Sequence, residues 1–277
     1  MVIKIILSRL PFNYKFWKKI GIFKHGDMGK GQYAWNVFNK HILNEGRIKR
    51  ESLEGKTLLE LGPGDSISTA IIAGSLGMKS TLLDVGRYAE FNKKEHQTLG
   101  EILRKNKINA LLPRASDKLC DYLALCNSNY LTEGIKSLQR IESNSIDYIF
   151  SQAVLEHIRR TEFKEMMIEC ARVMKKSGTC SHRVDLKDHL NGGLNNLRFP
   201  SKYWESDLFF SSGFYTNRIG CQEMIKIFSV AGLKVTYIKK EYWEKPPMKK
   251  SCFSKEFRFR PEEDIYVKGF DVCLRKL

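Results

Sequence analysis

The sequence predicts an α/β fold in which a largely parallel sheet lies between two layers of helices. Short apolar runs bounded by glycine alternate with segments of helical length, and this alternation is typical of parallel sheets. The chain has 277 residues, of which 42% are apolar and 28% are charged, so it is long enough to bury a core without disulfides. Its polar motifs each follow a predicted strand, where sheets of this kind bind their ligands.

In the first half of the chain, residues 56–61 predict a strand because they form a short apolar run between Gly55 and Gly62, as in strands buried on both faces. Residues 66–75 predict a helix because they are small and apolar and are followed by Gly77, a typical helix stop. The other elements of this half are a strand over 80–85, a charged helical segment over 86–127 and a strand over 129–132.

In the second half, residues 145–150 predict the fourth strand. Residues 163–174 carry apolar side chains at helical spacing, and Ser177 and Gly178 are expected to end that helix. The remaining predicted elements are a strand over 179–184, a helix over 223–231 that Gly232 ends, and strands over 234–238 and 265–274.

The chain divides, on this prediction, into a helical N-terminal extension over residues 1–55 and one large domain over 56–277, with 185–220 inserted as a substrate lid. Within the extension, residues 12–24 alternate aromatic and lysine side chains. This pattern fits a basic helix in weak peripheral contact with a membrane, or a helix that packs its aromatic face on the domain, which we prefer. No apolar run is long enough to span a bilayer.

The charge balance favours phosphate-bearing partners. The chain has 47 basic and 31 acidic residues and a net charge of +16, which suits nucleic acid, nucleotide-sugars, anionic lipid or an anionic cofactor, although a solvated basic surface explains it equally well. The seven cysteines are odd in number and form no Cys-x-x-Cys pair. They predict reduced thiols in a cytoplasmic protein rather than a disulfide framework or a zinc site.

The first chemical motif, Glu60-Leu-Gly-Pro-Gly-Asp-Ser66, joins the first strand to its helix. Its glycines let the backbone approach a ligand closely, and the helix start offers free N–H groups. A dinucleotide site would have a third glycine two or three residues after Gly64, where this chain has Ser66 and Ile67. Glu60 would repel a pyrophosphate, so the motif favours a ligand that carries an ammonium or sulfonium group.

The second motif is Asp84, which stands at the tip of the second strand, 20 residues after Gly64. An acid at this place can accept hydrogen bonds from both hydroxyls of a ribose. The alternative is an aspartate that caps a helix or a turn.

The third motif is the segment Ile146-Asp-Tyr-Ile-Phe-Ser-Gln-Ala-Val-Leu-Glu-His157, which runs off the fourth strand. Together with the glycine loop and residues 169–178, it resembles the S-adenosylmethionine-dependent methyltransferases of the Rossmann-like class, especially the small-molecule branch. The resemblance covers about residues 55–184. It implies a three-layer fold with a seven-stranded, mostly parallel sheet whose last strand is antiparallel.

The resemblance also implies S-adenosyl-L-methionine as cofactor and a set of residues that hold it. The glycine loop would hold the methionine end through Glu60, Gly62 and Gly64, with Asp65 and Ser66 beside it. Asp84 would bind the ribose, and Glu133 is the nearest acid for the adenine amino group. The adenine would lie on Val85, and the methyl group would lie above Ser151, Gln152 and Ala153.

Transfer to an oxygen or nitrogen requires removal of a proton, for which a histidine is suited. His157 follows the fourth strand and is one candidate base, unless it only orders the start of a helix. His182, Asp185 and His189 would share one face if their segment is helical. They are then a base with its orienting groups, ligands of a divalent metal, or a loop-capping network. We assign no metal, because further carboxylates are lacking.

We therefore expect a methyltransferase that acts on an oxygen or nitrogen of a small-molecule or glycan-type acceptor. Arg183 and Arg198 are candidates for contacts with an anionic part of the acceptor. The aromatic residues between 199 and 215 would either stack on the acceptor or form the core of the lid.

Three alternatives stay open at this point. An RNA methyltransferase is suggested by the charge, although residues 151–154 lack the Pro-Pro-aromatic motif of enzymes that methylate base amines. A non-catalytic binding module would keep the fold without the cofactor. A nicotinamide dehydrogenase would share Asp84 but requires the missing third glycine. The oligomeric state is not predicted.

Overall fold

A computed structural model describes residues 27–44, 48–113, 116 and 118–277. The basic segment 12–24 lies outside the described residues. Seven strands form one sheet in the order β3-β2-β1-β4-β5-β7-β6, in which β7 runs antiparallel to its two neighbours and the other strands are parallel. The strands are β1 Thr57–Leu61, β2 Lys79–Leu83, β3 Ser128–Leu131, β4 Ile146–Gln152, β5 Met174–Asp185, β6 Leu233–Tyr242 and β7 Val267–Lys276. The predicted Rossmann-like fold is confirmed.

Ten α-helices surround the sheet in the described part of the chain. They are α1 Gly31–His41, α2 Ser68–Ser75, α3 Lys93–Lys105, α4 Leu119–Leu125, α5 Ile135–Gln139, α6 Arg160–Val173, α7 Ser201–Trp204, α8 Asp207–Phe210, α9 Cys221–Val230 and α10 Glu262–Tyr266. Short 3-10 turns are Arg50–Leu53, Leu155–His157, Asn195–Arg198, Lys250–Cys252 and Lys255–Phe257. Every described helix is too short or too polar to cross a lipid bilayer.

Two apolar cores lie on the two faces of the sheet. One contains α6 and α9 and includes Phe163 and Phe228, and the other contains α1 to α4 and includes Phe38 and Phe150. Helix α1 belongs to the second core and packs on α2 and α3. Full burial of a side chain such as Phe38 contributes roughly 1.5–3 kcal/mol, so α1 is an integral layer of the domain.

The start of β5 differs from its prediction. Ser177 and Gly178 do not end the preceding helix, because that helix ends at Val173 and β5 begins at Met174. The extra residues are absorbed by a bulge in the pairing of β4 with β5. Gly178 is suited to the bulge, since a Cβ there would stand 2.6 Å from the Met174 side chain and 3.1 Å from the Asp147 carbonyl.

The segment predicted to be the lid, between β5 and α9, folds around its own small core. Trp204, Phe214 and Tyr215 are buried against one another. The guanidinium of Arg218 lies 5.3 Å from the Trp204 ring and 4.7 Å from the Phe257 ring. Most rings of this segment therefore build its interior rather than an open stacking surface, and its role as a lid stays a prediction.

Candidate active site

The loop after β1 can be formed only with glycine at its first bend. Gly62 has a φ of +69°, and a Cβ there would stand 2.5 Å from Cγ2 of Val154. The Gly62 N–H donates to the Leu83 carbonyl at 2.8 Å, which fastens the loop to β2. Gly64 also has a positive φ, of +65°. The loop is thus held tightly against both neighbouring strands.

Glu60 lies on β1 directly before this loop and is almost fully buried. Burial raises its pKa to about 8, the Thr69 hydroxyl lowers it and the Asp84 carboxylate raises it. Within the described residues, Oε2 has no hydrogen-bond partner. A buried carboxyl oxygen without a partner is unfavourable, so Glu60 suits a cationic ligand placed at the loop.

The carboxylate of Asp84 lies against the same loop. Its Oδ2 accepts the N–H of Gly64 at 3.1 Å, and its Oδ1 accepts the N–H of Val85 at 2.8 Å. Burial raises the pKa of Asp84 to about 6, and these two hydrogen bonds lower it. Because a turn aspartate makes similar bonds, ribose binding by Asp84 stays a prediction.

The region expected to receive the adenine is an exposed apolar strip. Val85 is 72% exposed, and Gly134, after β3, lies beside it and donates its N–H to the Asp84 carbonyl at 2.8 Å. Glu133 forms an ion pair with Arg140 at the surface. An adenine amino group would therefore compete with Arg140 for Glu133, whose assignment stays a prediction.

The end of β4 carries two hydrogen-bond networks on opposite faces of the sheet. Ser151 contacts His182 Nδ1 through its hydroxyl at 2.9 Å. Gln152 accepts from His41 Nε2 at 2.9 Å and donates to the Tyr33 hydroxyl at 3.2 Å. Ala153 follows with a φ of +55°, rare for a residue with a side chain. The backbone turns sharply here.

Sequence reasoning missed His41, which links α1 to the ends of β4 and β5. Since the Gln152 oxygen can only accept, His41 Nε2 donates to it, and Nδ1 accepts from the Ser181 hydroxyl at 2.8 Å. Burial lowers its pKa to about 4, and the bond to Gln152 raises it. The available signal was its position within the predicted helical extension, residues 1–55.

The prediction that His182, Asp185 and His189 share a helical face is wrong. His182 and Asp185 lie on β5, which pairs with β4 on one side and β7 on the other, so they point to opposite faces. His182 is fully buried, and burial lowers its pKa to about 3, with His41 lowering it further. No group of three or more potential metal ligands is present among the residues that the structure describes.

His189 instead lies beside the other candidate base. Its ring centroid is 4.8 Å from that of His157. His157 Nδ1 is 2.9 Å from the Tyr215 carbonyl and therefore donates to it. This bond fixes the tautomer of the neutral ring, in which Nε2 is the basic nitrogen.

Arg183 is engaged within the fold rather than offered to an acceptor. Its guanidinium makes two hydrogen bonds of 2.7 Å to the Glu241 carboxylate and lies 3.8 Å from Asp271. Arg198, the other predicted anion contact, is exposed. Arg198 is thus the arginine of the pair that remains accessible.

Sequence reasoning also missed Glu156, although it stands within the third motif. Burial raises its pKa to about 8, and its Oε1 accepts the N–H of Asp185 at 3.2 Å. With Asn196 and Arg218 it lines a small cavity of about 20 Å³, which is enough for one water. Its contacts join the β4 loop to the end of β5.

The glycine loop, the two acids and β4 lie within a segment that matches a known protein family. Residues 59–181 match the family model described as a methyltransferase domain. These residues form a methyltransferase domain. The enzyme is a methyltransferase, and S-adenosylmethionine is the cofactor that its residues are proposed to hold. Among curated proteins, no relative matches the chain.

Solved structures with a similar course of the chain share little sequence with it. An S-adenosylmethionine-dependent methyltransferase from Methanosarcina mazei is 14% identical, with a TM-score of 0.49, over 86% of this chain and 98% of its own. Phosphoethanolamine N-methyltransferase 2 from Haemonchus contortus is 14% identical, with a TM-score of 0.48, over 98% and 59%. Geranyl diphosphate C-methyltransferase from Streptomyces coelicolor is 12% identical, with a TM-score of 0.45, over 84% and 78%. These likenesses do not define an acceptor.

The residues of the methyltransferase domain fit the cofactor. The cofactor supplies a methyl group on a positively charged sulfur and also carries an ammonium group. The buried carboxyl group of Glu60 suits a cation, and Asp84 presents acceptor oxygens for hydroxyl groups. The glycine loop keeps side chains out of the space between them. These are proposed roles of Glu60, Asp84 and the loop.

Cofactor affinity should rise with pH. Binding of a cation favours the ionised form of Glu60, whose pKa in the free protein is about 8, so the proton must leave below that pH. Calorimetry with S-adenosylmethionine should show affinity rising about tenfold per unit from pH 6 to pH 8 and levelling above it. Below pH 6 the protonation of Asp84, whose pKa is about 6, should lower the affinity further.

The variant Glu60→Gln is the control for this dependence. It should bind the cofactor more weakly at pH 8 and lose the slope between pH 6 and pH 8. Because the raised pKa of Glu60 lowers the stability of the free protein as pH rises from 4.5 to 8, the variant should also unfold at a higher temperature at pH 8. An unchanged slope would contradict a contact between Glu60 and the cation.

Proposed function

We propose that the enzyme transfers the methyl group to an oxygen or nitrogen of a small-molecule or glycan-type acceptor. The observation that supports this most directly is the contact between the β4 loop and the segment after β5. His157 bonds to the Tyr215 carbonyl and contacts the ring of His189. A basic group beside an inserted segment suits a small acceptor held near the end of β4.

In this proposal the protein aligns the acceptor and removes its proton. The Tyr215 carbonyl holds the His157 ring so that Nε2 is the proton acceptor. His157 Nε2 takes the proton that an acceptor hydroxyl or amino group loses as its bond to the methyl carbon forms. The turn at Ser151–Ala153 sets the distance between the acceptor and the carbon, and exact alignment is the larger part of the rate gain.

The test is a transfer assay with methyl-labelled cofactor and fractions of the source cells. We expect label in the small-molecule, nucleotide-sugar or glycan fraction. His157→Ala should lower turnover about 100-fold, as expected for loss of a general base, while the affinity for S-adenosylhomocysteine changes less than about twofold. Label confined to RNA would contradict the proposal and support the RNA alternative.

Two further variants separate chemistry from structure. His157→Gln keeps a donor for the Tyr215 carbonyl but has no base, so it should be as slow as His157→Ala. His182→Ala removes a buried group and should lower stability more than turnover. Full turnover in both His157 variants would refute general-base catalysis by this histidine.

A further inference from the structure

Helix α1 holds the last side chain of β4 at two points. Near the start of the helix, the Tyr33 hydroxyl accepts an N–H of the Gln152 amide at 3.2 Å. At the end of the helix, His41 Nε2 donates to the oxygen of the same amide at 2.9 Å. Both ends of the Gln152 amide are therefore fixed by side chains that stand about two turns apart on one helix.

The orientation of this amide is set by the buried end of α1. His41 Nδ1 accepts from the Ser181 hydroxyl at 2.8 Å, so the neutral ring carries its proton on Nε2. The His41 ring also stacks on Phe150, with centroids 5.3 Å apart, and this packing restricts its rotation. Because the ring N–H bonds to the amide oxygen, the amide nitrogen of Gln152 is directed to Tyr33.

Tyr33 and Gln152 together have two donors that the fold does not use. Tyr33 is 36% exposed, and its hydroxyl makes no hydrogen bond to a described residue besides the one from Gln152. Its own proton is therefore available to a ligand. The Gln152 amide has a second N–H, which bonds to no residue of the described ranges. An O–H and an N–H on atoms 3.2 Å apart suit an oxygen of a ligand.

These two donors lie in the part of the domain that borders the glycine loop. Val154, two residues after Gln152, packs so closely on the loop that a Cβ at Gly62 would stand 2.5 Å from its Cγ2. Directly before α1, Lys30 lines a cleft together with Asp65 of the loop. The end of β4 and the start of α1 therefore both adjoin the loop, at the edge of the sheet where such folds bind ligands.

We propose that Tyr33 and Gln152 bind an oxygen of the methyl acceptor, and that His41 is the positioning residue that holds Gln152 for this contact. The proposal rests on the proposed function and narrows the acceptor to molecules that offer a hydroxyl, carbonyl or carboxylate oxygen to these donors. The cofactor carries a carboxylate, which has the same chemistry. The experiment must therefore follow both ligands.

The test is the variant Tyr33→Phe, which removes only the hydroxyl group of an exposed ring. Methyl transfer from labelled cofactor is measured against a dilution series of the cell fraction that accepts label, and the amount that gives half-maximal rate reports acceptor binding. We expect Tyr33→Phe to raise this amount about five- to tenfold, as for loss of one hydrogen bond, with a maximal rate within about twofold of the wild type. Tyr237→Phe, at an exposed tyrosine of the edge strand β6, is the matched control and should behave as the wild type does.

His41→Phe tests the positioning role. Phenylalanine can keep the stacking on Phe150 but cannot donate to Gln152, so the half-saturating amount should rise by a similar factor. Because Tyr33 and His41 both act through Gln152, the loss in the double variant should be smaller than the product of the two single losses. His41→Gln, whose amide can still donate to Gln152, should recover most of the acceptor binding, which a purely structural role of the ring does not predict.

The affinity for S-adenosylhomocysteine, measured by calorimetry in the same variants, separates the two ligands. It should stay within about twofold of the wild type in Tyr33→Phe. A larger loss would assign the two donors to the carboxylate of the cofactor and overturn the proposal. An unchanged half-saturating amount in Tyr33→Phe would also overturn it, whether or not His41→Phe folds.

Failure of the proposed function gives a different result. If no small-molecule, nucleotide-sugar or glycan fraction accepts label from the wild type, the proposed function fails, and the assignment of Tyr33 and Gln152 fails with it. If the wild type labels such a fraction and Tyr33→Phe has the same half-saturating amount, only the assignment of these two residues fails.

Discussion

Replacing Asp84 by alanine should lower the affinity for S-adenosylhomocysteine at least about 100-fold, because in the proposed role of Asp84 the two ribose hydroxyl groups each lose a hydrogen bond to a charged acceptor, worth about 1.5–3 kcal/mol. Asp84 lies at the tip of β2, and its carboxylate already faces the glycine loop, accepting the N–H of Gly64 at 3.1 Å. Calorimetry of wild type and variant measures the loss directly.

The affinity of Asp84→Asn should lie between those of the wild type and Asp84→Ala, since an amide keeps one acceptor oxygen. Asp121→Ala, at an exposed position on α4, should leave the affinity for S-adenosylhomocysteine unchanged. The competing interpretation, an aspartate that only supports its turn, makes a different prediction. It requires a lower melting temperature in Asp84→Ala together with an affinity close to that of the wild type.

Replacing Arg218 by methionine should destabilise the protein by about 2–4 kcal/mol, because it leaves the Phe199 carbonyl and the partly buried Glu205 carboxylate without their donor. The Arg218 side chain is fully buried. It donates to the Phe199 carbonyl at 2.6 Å, to the Ser201 hydroxyl at 2.9 Å and to Glu205 at 3.2 Å. The unfolding free energy is measured with urea.

Arg198→Met is the matched control, because Arg198 is exposed on the same segment and should change stability by less than about 0.5 kcal/mol. If Arg218→Met is too unstable to purify, Arg218→Lys can replace it. Lysine keeps the charge but not the branched donors of arginine, so its unfolding free energy should lie between those of the wild type and Arg218→Met. A loss below about 1 kcal/mol in Arg218→Met would show that the apolar contacts alone hold the segment.

The strands were predictable to within a few residues where their sequences are rich in apolar residues, as in β1 and β4. Burial on both faces leaves this local signature. The error at Ser177–Gly178 arose because glycine after a helix usually marks its end, whereas here it permits a bulge. The extension of β5 through Asp185 depends on pairing with β7, and local periodicity carries no information about so distant a partner.

In the candidate site, too, local sequence indicated some residues, whereas others depend on distant partners. Glu60 and Asp84 were recognisable because each acid ends a strand next to a glycine loop. The roles of His41 and Glu156 depend on groups brought to them by the fold, such as Ser181, far along the chain from His41. Their residue types alone did not distinguish them from ordinary buried polar groups.

Helix α1 contacts two distant parts of the domain with its opposite ends. Lys30, directly before the helix, lines a cleft beside the glycine loop, while His41, at its end, is bonded to Ser181 and Gln152. Eleven helical residues make a stiff rod of about 16 Å. We expect a tilt of this rod to strain the bonds of His41 to Ser181 and Gln152, so that the position of α1 and the geometry of the β4 turn change together.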